Sequence, residues 1–199
     1  MKNPSLILAS ASPRRRDLLN QLGIAHRVEP ADIDETPYPG EPPADYVIRM
    51  ATEKAEAVRS RFDGYGGILA ADTTVVLDGS MLGKPADETE AAGMLHRLSG
   101  RTHEVMSAVA LLTPDGKSRS ALNVSRVAFA PLDDEWIRAY CATGEPLDKA
   151  GAYGVQGRAA ARIRHLEGSF HCVMGLPLYE TTGLLHAAGW DLRPGVNPE

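Results

Sequence analysis

The stretch Leu6-Ile7-Leu8-Ala9-Ser10-Ala11-Ser12-Pro13-Arg14-Arg15-Arg16 constrains this chain more than any other. Four consecutive apolar residues read as a short buried strand, and Pro13 suits the first position of a helix. Ser12 is placed to cap that helix, Leu18, Leu19 and Leu22 give it an apolar stripe, and Gly23 closes it. A strand running directly into an amphipathic helix predicts an α/β chain. The first helical turn is the anomaly, because it carries three arginines where the free N–H groups prefer anions. Local rules broken without visible compensation are expected at functional sites. A bound polyanion resolves the conflict, since backbone donors, serine hydroxyls and guanidinium forks all suit phosphate. A solvated basic helix end is the other possibility, and these residues alone leave both open.

The net charge of the 199-residue chain is −5, which argues against general affinity for nucleic acid or acidic membranes. The arginine cluster is therefore local, and a small anionic ligand fits it better than a duplex. Cys141 and Cys172 follow no metal or redox spacing, so reduced thiols are expected. No signal peptide and no run of about 18 apolar residues is visible, which predicts a cytoplasmic protein without a membrane span.

Further strands are predicted over 24–28, 67–77, 80–82, 105–112, 118–130 and 159–166. Further helices are predicted over 44–60, 87–98, from 133 or 134 to 141, and from 175–177 to 188. Asp78-Gly79 and Pro114-Asp115-Gly116 mark turns, and Gly189 stops the last helix. With no internal repeat or linker, residues 1–192 form one domain with a mixed sheet in this scheme, and residues 193–199 a frayed tail.

Two positions stand out. Lys54 falls on the apolar face of its helix with Val47, Met50, Ala51 and Val58, so it either snorkels to the surface or aims across a cleft. Asp72 sits inside an apolar, β-branched run, where a carboxylate must be paired, metal-bound or functional. His103, beside a strand, is read as structural. Ser10, Ser12, Arg14 and Arg15 form an anion cradle, Lys54 and Lys84 add cations, and Glu35 and Asp72 add acids beside turns or strand ends. Cations that neutralise phosphate, with acids that hold a metal or activate water, suit phosphoryl or nucleotidyl hydrolysis. No P-loop, dinucleotide fingerprint, Gly-x-Ser-x-Gly elbow or zinc-spaced histidine pair occurs. Composition and pattern therefore stop at an anion-handling α/β enzyme.

Leu6 to Arg15 resembles the opening signature of the Maf family of nucleoside triphosphate pyrophosphatases. The likeness continues through Asp32-Ile33-Asp34-Glu35, Glu53-Lys54-Ala55, Ala71-Asp72-Thr73-Thr74-Val75 and Gly83-Lys84-Pro85. It runs on through Leu98-Ser99-Gly100, the stretch from Pro146 to Gly157, Gly168-Ser169-Phe170 and Gly175-Leu176-Pro177-Leu178. These motifs follow the family's order over nearly the whole chain.

The resemblance implies an inosine-triphosphatase-like fold: a mixed, elongated sheet with flanking helices and two lobes around a cleft. It also implies cleavage of a nucleoside triphosphate between the α and β phosphates, in a house-cleaning role linked to cell-division arrest. Asp72 matches the proton acceptor and a metal position, and Glu35 a second metal position. Ser10, Arg14, Arg15, Lys54 and Lys84 match the remaining cleft positions, and Mg²⁺ or Mn²⁺ is the implied cofactor. Arg14, Thr73 and Gln156 match the pattern of the branch acting on dTTP and UTP. The branch acting on 7-methyl-GTP has Trp and Gln at the first two of these positions. An amide such as Gln156 can offer both a donor and an acceptor to a pyrimidine edge. A homodimer is a further implication, and a non-catalytic regulator of septum formation is the rival class. His171-Cys172-Val173-Met174 departs from the family's apolar residues and is expected to reshape the wall behind the glycine-rich loop.

Overall fold

The computed structural model describes residues 5–61 and 64–193. The frayed tail predicted from residue 193 lies, beyond Arg193 itself, outside the described residues. Seven strands form a single mixed sheet in the order β2-β1-β3-β5-β6-β7, with β4 paired to β3. Strand β1 (Leu6–Leu8) pairs in parallel with β2 (His26–Val28) and β3 (Gly67–Leu77). The remainder is antiparallel: β3 with β4 (Ser80–Leu82) and β5 (Thr102–Leu112), β5 with β6 (Ser118–Phe129), and β6 with β7 (Ile163–Glu167). The long central strands β3, β5 and β6 are the frame to which everything else is attached.

Helix α1 (Pro13–Gln21) leaves the end of β1 as predicted, with Leu18 and Leu19 buried. Ser12 occupies the N-cap position, but its hydroxyl makes no capping bond. The hydroxyl that acts at this turn is that of Ser10, which accepts from the Ser12 amide at 3.2 Å. Helix α2 (Pro43–Arg59) lies along one face of the sheet, setting Val47 and Ala51 against Ala108 and Ala110, and Ala55 and Val58 against Ile68 and Ala70. On the opposite face, α1 and α6 (Leu178–Ala187) cover Leu69, Ala71, Val109 and Leu111. There too, α3 (Glu88–Leu98) and α4 (Asp134–Cys141) cover Val75, Leu77, Val105 and Phe129. Asp87 and Asp133 cap α3 and α4 through their side chains. Among the described residues no helix is long and apolar enough to cross a membrane.

The structure departs from expectation at several points, β2 for one starting at His26 rather than Ile24. Residues 158–162 form a 3₁₀ turn, so the last strand starts at Ile163 rather than Ala159. Strand β5 starts three residues early, at Thr102. A five-residue helix, α5 (Phe170–Met174), was not foreseen: Ser169 caps it by accepting from the Cys172 amide, and Gly175 ends it at φ 109°. The His171–Met174 segment is therefore helical, and its wall stands behind Thr73 and Ser107, with the Ser107 hydroxyl donating to the Cys172 carbonyl at 2.7 Å.

Candidate active site

Alternation along β3 divides the predicted residues between the two faces of the sheet. Ile68, Ala70 and Asp72 point to α2, and Leu69, Ala71 and Thr73 point away from it. Asp72 is 6% exposed and Lys54 7%, and the lysine ammonium lies 2.7 Å from Asp72 Oδ1. It also lies 2.8 Å from Glu35 Oε1, so one ammonium joins two carboxylates. The snorkelling alternative for Lys54 is thereby excluded: the side chain aims inward because two acids satisfy it. Burial raises the Glu35 carboxyl, but the Lys54 hydrogen bond and the charges of Lys54, Lys84 and Arg15 outweigh it and hold the group below its ordinary range. Lys84 itself is exposed in the connection after β4. Its neighbour Gly83 accepts from the Gly151 amide at 3.0 Å, which ties this connection to the glycine-rich loop.

On the other face, Arg15 stitches three elements together. Its guanidinium donates to the Gly175 carbonyl (2.7 Å), to Ser10 Oγ (3.1 Å) and to Thr73 Oγ1 (3.3 Å). Three of its five N–H groups are thus engaged within the protein. Burial lowers the pKa of Arg15, and the carboxylates of Asp72 and Glu35 oppose that, so the two halves of the site are electrostatically in contact. Thr73 Oγ1 also meets Ser107 Oγ at 2.8 Å.

Arg14 bridges elsewhere. It pairs with Asp148 at 2.9 Å, joining the arginine-rich turn to the segment 145–157. Gln156 is exposed in that segment, and among the described residues no hydrogen bond joins it to the other candidates. The cluster therefore contains Asp72, Lys54 and Glu35 in direct contact, with Lys84 and Arg15 acting through charge and Ser10 and Thr73 held by Arg15. Arg14 and Gln156 stand apart. Among the described residues Arg16 forms an ion pair with its exposed neighbour Asp17, at 3.6 Å.

Sequence reasoning missed Tyr46, and took Asp148 only as part of the family motif from Pro146 to Gly157, without its pairing to Arg14. Tyr46 donates to the Glu35 carbonyl at 2.9 Å. Burial and the charges of Asp72 and Glu35 push its hydroxyl up to about 12, against a smaller opposing effect of Arg49. Its position eight residues before Lys54, two helical i,i+4 steps, was the available signal. Nothing in the spacing pointed to Asp148 as the partner of Arg14.

Among the described residues no group of three or more His, Cys, Asp or Glu side chains could hold a metal by itself. The available donors are the Glu35 and Asp72 carboxylates, each engaged by Lys54 through one oxygen. Two carboxylates completed by phosphate oxygens and water are a usual setting for Mg²⁺, so these residues fit a cation that arrives with a phosphorylated ligand.

Residues 5–188 match the family model described as Maf-like protein. The chain belongs to the Maf family. Its curated Maf relatives include the dTTP/UTP pyrophosphatase of Aromatoleum aromaticum, 50% identical over 200 residues that cover 94% of this chain and 97% of that one. The dTTP/UTP pyrophosphatase of Anaeromyxobacter dehalogenans is 52% identical over 192 residues, covering 95% and 96%. Among solved structures, a HAM1 protein from Coxiella burnetii superposes with a TM-score of 0.51 over 92% of this Maf chain and 99% of its own, at 17% identity. That likeness is one of fold alone.

Proposed function

We propose that this Maf protein is a nucleoside triphosphate pyrophosphatase that hydrolyses dTTP and UTP to the monophosphate and pyrophosphate. The observation that carries the proposal is the buried Asp72–Lys54 pair, joined at its outer side by the exposed Glu35, beside the cationic turn of Ser10, Arg14 and Arg15. An acid in the middle of β3 and one in the segment before α2, both held among cations, suit attack by water on a phosphorus whose charge is neutralised in place. The names of the relatives supply the base preference.

In this proposal water attacks the α-phosphorus in line with the departing pyrophosphate. Asp72 takes the proton of the water, with the Lys54 hydrogen bond at Oδ1 orienting the carboxylate. Arg14, Arg15, Lys54 and Lys84 neutralise phosphate charge, and Ser10 fixes the Arg15 fork. Thr73 holds the other arm of that fork, and Gln156 offers its amide to the pyrimidine edge. Glu35 and Asp72 would hold a divalent cation, Mg²⁺ or Mn²⁺, which supplies Lewis-acid neutralisation of the triphosphate when bound.

The deciding experiment identifies the first product over a panel of dTTP, UTP, CTP, GTP and 7-methyl-GTP with either cation. Pyrophosphate release with the highest kcat/KM on dTTP and UTP is expected. Orthophosphate as the first product would make the protein a phosphatase, and preference for 7-methyl-GTP would place it in the other branch.

A further inference from the structure

Residues 32–41 carry Glu35, contain no helix or strand, and nevertheless are gripped by one face of α2. Tyr46 Oη donates to the Glu35 carbonyl at 2.9 Å, and Arg49 Nη2 donates to the next carbonyl, that of Thr36, at 3.3 Å. The same guanidinium holds Glu41 through two bonds, each 2.7 Å long. Glu41 in turn accepts from the Tyr38 amide at 3.0 Å, and the Tyr38 ring lies 3.9 Å from the Arg49 guanidinium carbon. Glu53 receives the remaining arm of the fork at 3.3 Å. The Glu41 side chain is only 8% exposed and that of Arg49 16%, so this is not a loose surface pair.

The arrangement is asymmetric in a telling way. All three nitrogens of the Arg49 guanidinium are bonded within the protein, so Arg49 is not a spare phosphate ligand. Its contacts all converge on α2 itself and the segment 36–41, immediately after the residue whose carboxylate meets Lys54. Tyr46, Arg49 and Lys54 thus hold, from one helix, the Glu35 backbone, the chain that follows it, and the Glu35 side chain. An irregular segment tied at only one point samples many positions, and each further tie narrows them. A carboxylate that must sit within hydrogen-bond distance of Lys54 needs that narrowing.

We propose that Arg49, together with Tyr46, is a positioning residue that straps residues 35–41 to α2 and thereby delivers Glu35 to Lys54 and Asp72. This rests on the catalytic importance of Glu35 given under Proposed function. Lysine is not an adequate replacement, because a point charge cannot reproduce the fork to Glu41 and the bond to Thr36 together.

The test uses the full chain with Arg49→Gln, Arg49→Lys, Glu35→Gln and the double variant Arg49→Gln/Glu35→Gln. Arg49→Gln lowers kcat on dTTP by about tenfold or more, with Arg49→Lys between it and the parent. In the Glu35→Gln background the same Arg49→Gln change costs less than about twofold, because the strap no longer has a carboxylate to deliver. Equal losses in both backgrounds would mean a general structural role and overturn the proposal. Amide hydrogen exchange gives a readout free of activity: the Thr36 and Tyr38 amides exchange about tenfold faster or more in Arg49→Gln, while the buried α2 residues Ala51 and Ala55 do not. Unchanged exchange at Thr36 and Tyr38 overturns the strap whatever the kinetics. If Glu35→Gln alone keeps parental kcat, the assignment of Glu35 falls, and the exchange result still decides whether Arg49 straps the segment.

Discussion

Lys54 and Asp72 form a buried ion pair 2.7 Å across, linking the middle of α2 to the middle of β3. Removing one partner of a buried pair leaves an uncompensated charge, which costs about 3–5 kcal/mol. Lys54→Met therefore destabilises the fold and abolishes turnover, and thermal unfolding shows the first effect directly. Asp72→Asn keeps the shape and a hydrogen-bond acceptor, and Glu35 still compensates the Lys54 charge at 2.8 Å, so the fold survives. A positioned base is worth about 10²–10⁴ in rate, and Asp72→Asn should lose at least the lower figure in kcat. Near-parental turnover with a normal unfolding transition would remove Asp72 from the chemistry.

Asp148, 2.9 Å from Arg14, competes with a phosphate for that guanidinium. Burial raises the Asp148 carboxyl, but hydrogen bonds from Lys149 and Arg14 outweigh it and keep the group below its usual range, so the pair is charged at neutral pH. Its Asp148 side is 62% exposed, and pairs of that kind contribute about 1 kcal/mol at most. Asp148→Asn releases Arg14 to the substrate and lowers KM for dTTP by about two- to fivefold, an effect that shrinks in high salt. A raised KM would mean that Asp148 orders the 145–157 segment more than it restrains Arg14.

The opening strand and helix, the length of α2 and the whole of β3 were legible because periodicity and capping residues act locally. Asp72 was legible for the same reason, as an acid in an apolar run. Arg15 looked like a phosphate ligand, yet its nearest partners are Ser10, Thr73 and Gly175, the last 160 residues away. Such pairings are set by how β1, β3 and α5 come together, which no spacing encodes. Helix α5 was missed because five residues carry too little periodicity. Tyr46 and Arg49 were missed because an aromatic and an arginine on a helix have bland explanations until the acidic segment is seen folded over them.

Gly151 adopts φ +68°, and a Cβ there would lie 2.7 Å from Val75 Cγ2, closer than real side chains approach. Gly151→Ala therefore meets both backbone strain and a clash with a fully buried strand residue. A loss of about 2 kcal/mol or more in unfolding free energy is expected, read by urea titration. Val75→Ala in the same chain should return part of that loss relative to Val75→Ala alone. Additive costs would show that the Val75 methyls do not oppose the added carbon, leaving the backbone strain and the Val75 Cβ 2.9 Å away.

His103 is 2% exposed, stacked on Phe129 and bonded through Nε2 to Tyr153 Oη at 2.8 Å, while among the described residues its Nδ1 has no hydrogen-bond partner. Burial pulls its pKa down to about 4 from the ordinary 6.5. Between those values the unfolded chain binds a proton that the folded chain does not, so stability contributed by this site is complete above pH 6.5 and falls as the pH drops toward 4. The loss approaches about 3 kcal/mol at the lower limit. His103→Gln removes the titration while retaining an amide that can reach Tyr153. Urea unfolding of both proteins at pH 7.5, 6.5, 5.5 and 4.5 separates this group from the carboxylates, which titrate in both. The stability difference between parent and variant should be constant at the two higher pH values and move in favour of the variant at the two lower ones. A difference independent of pH across the series would show that His103 is not held neutral by burial and that the Tyr153 contact alone accounts for its place behind the glycine-rich loop.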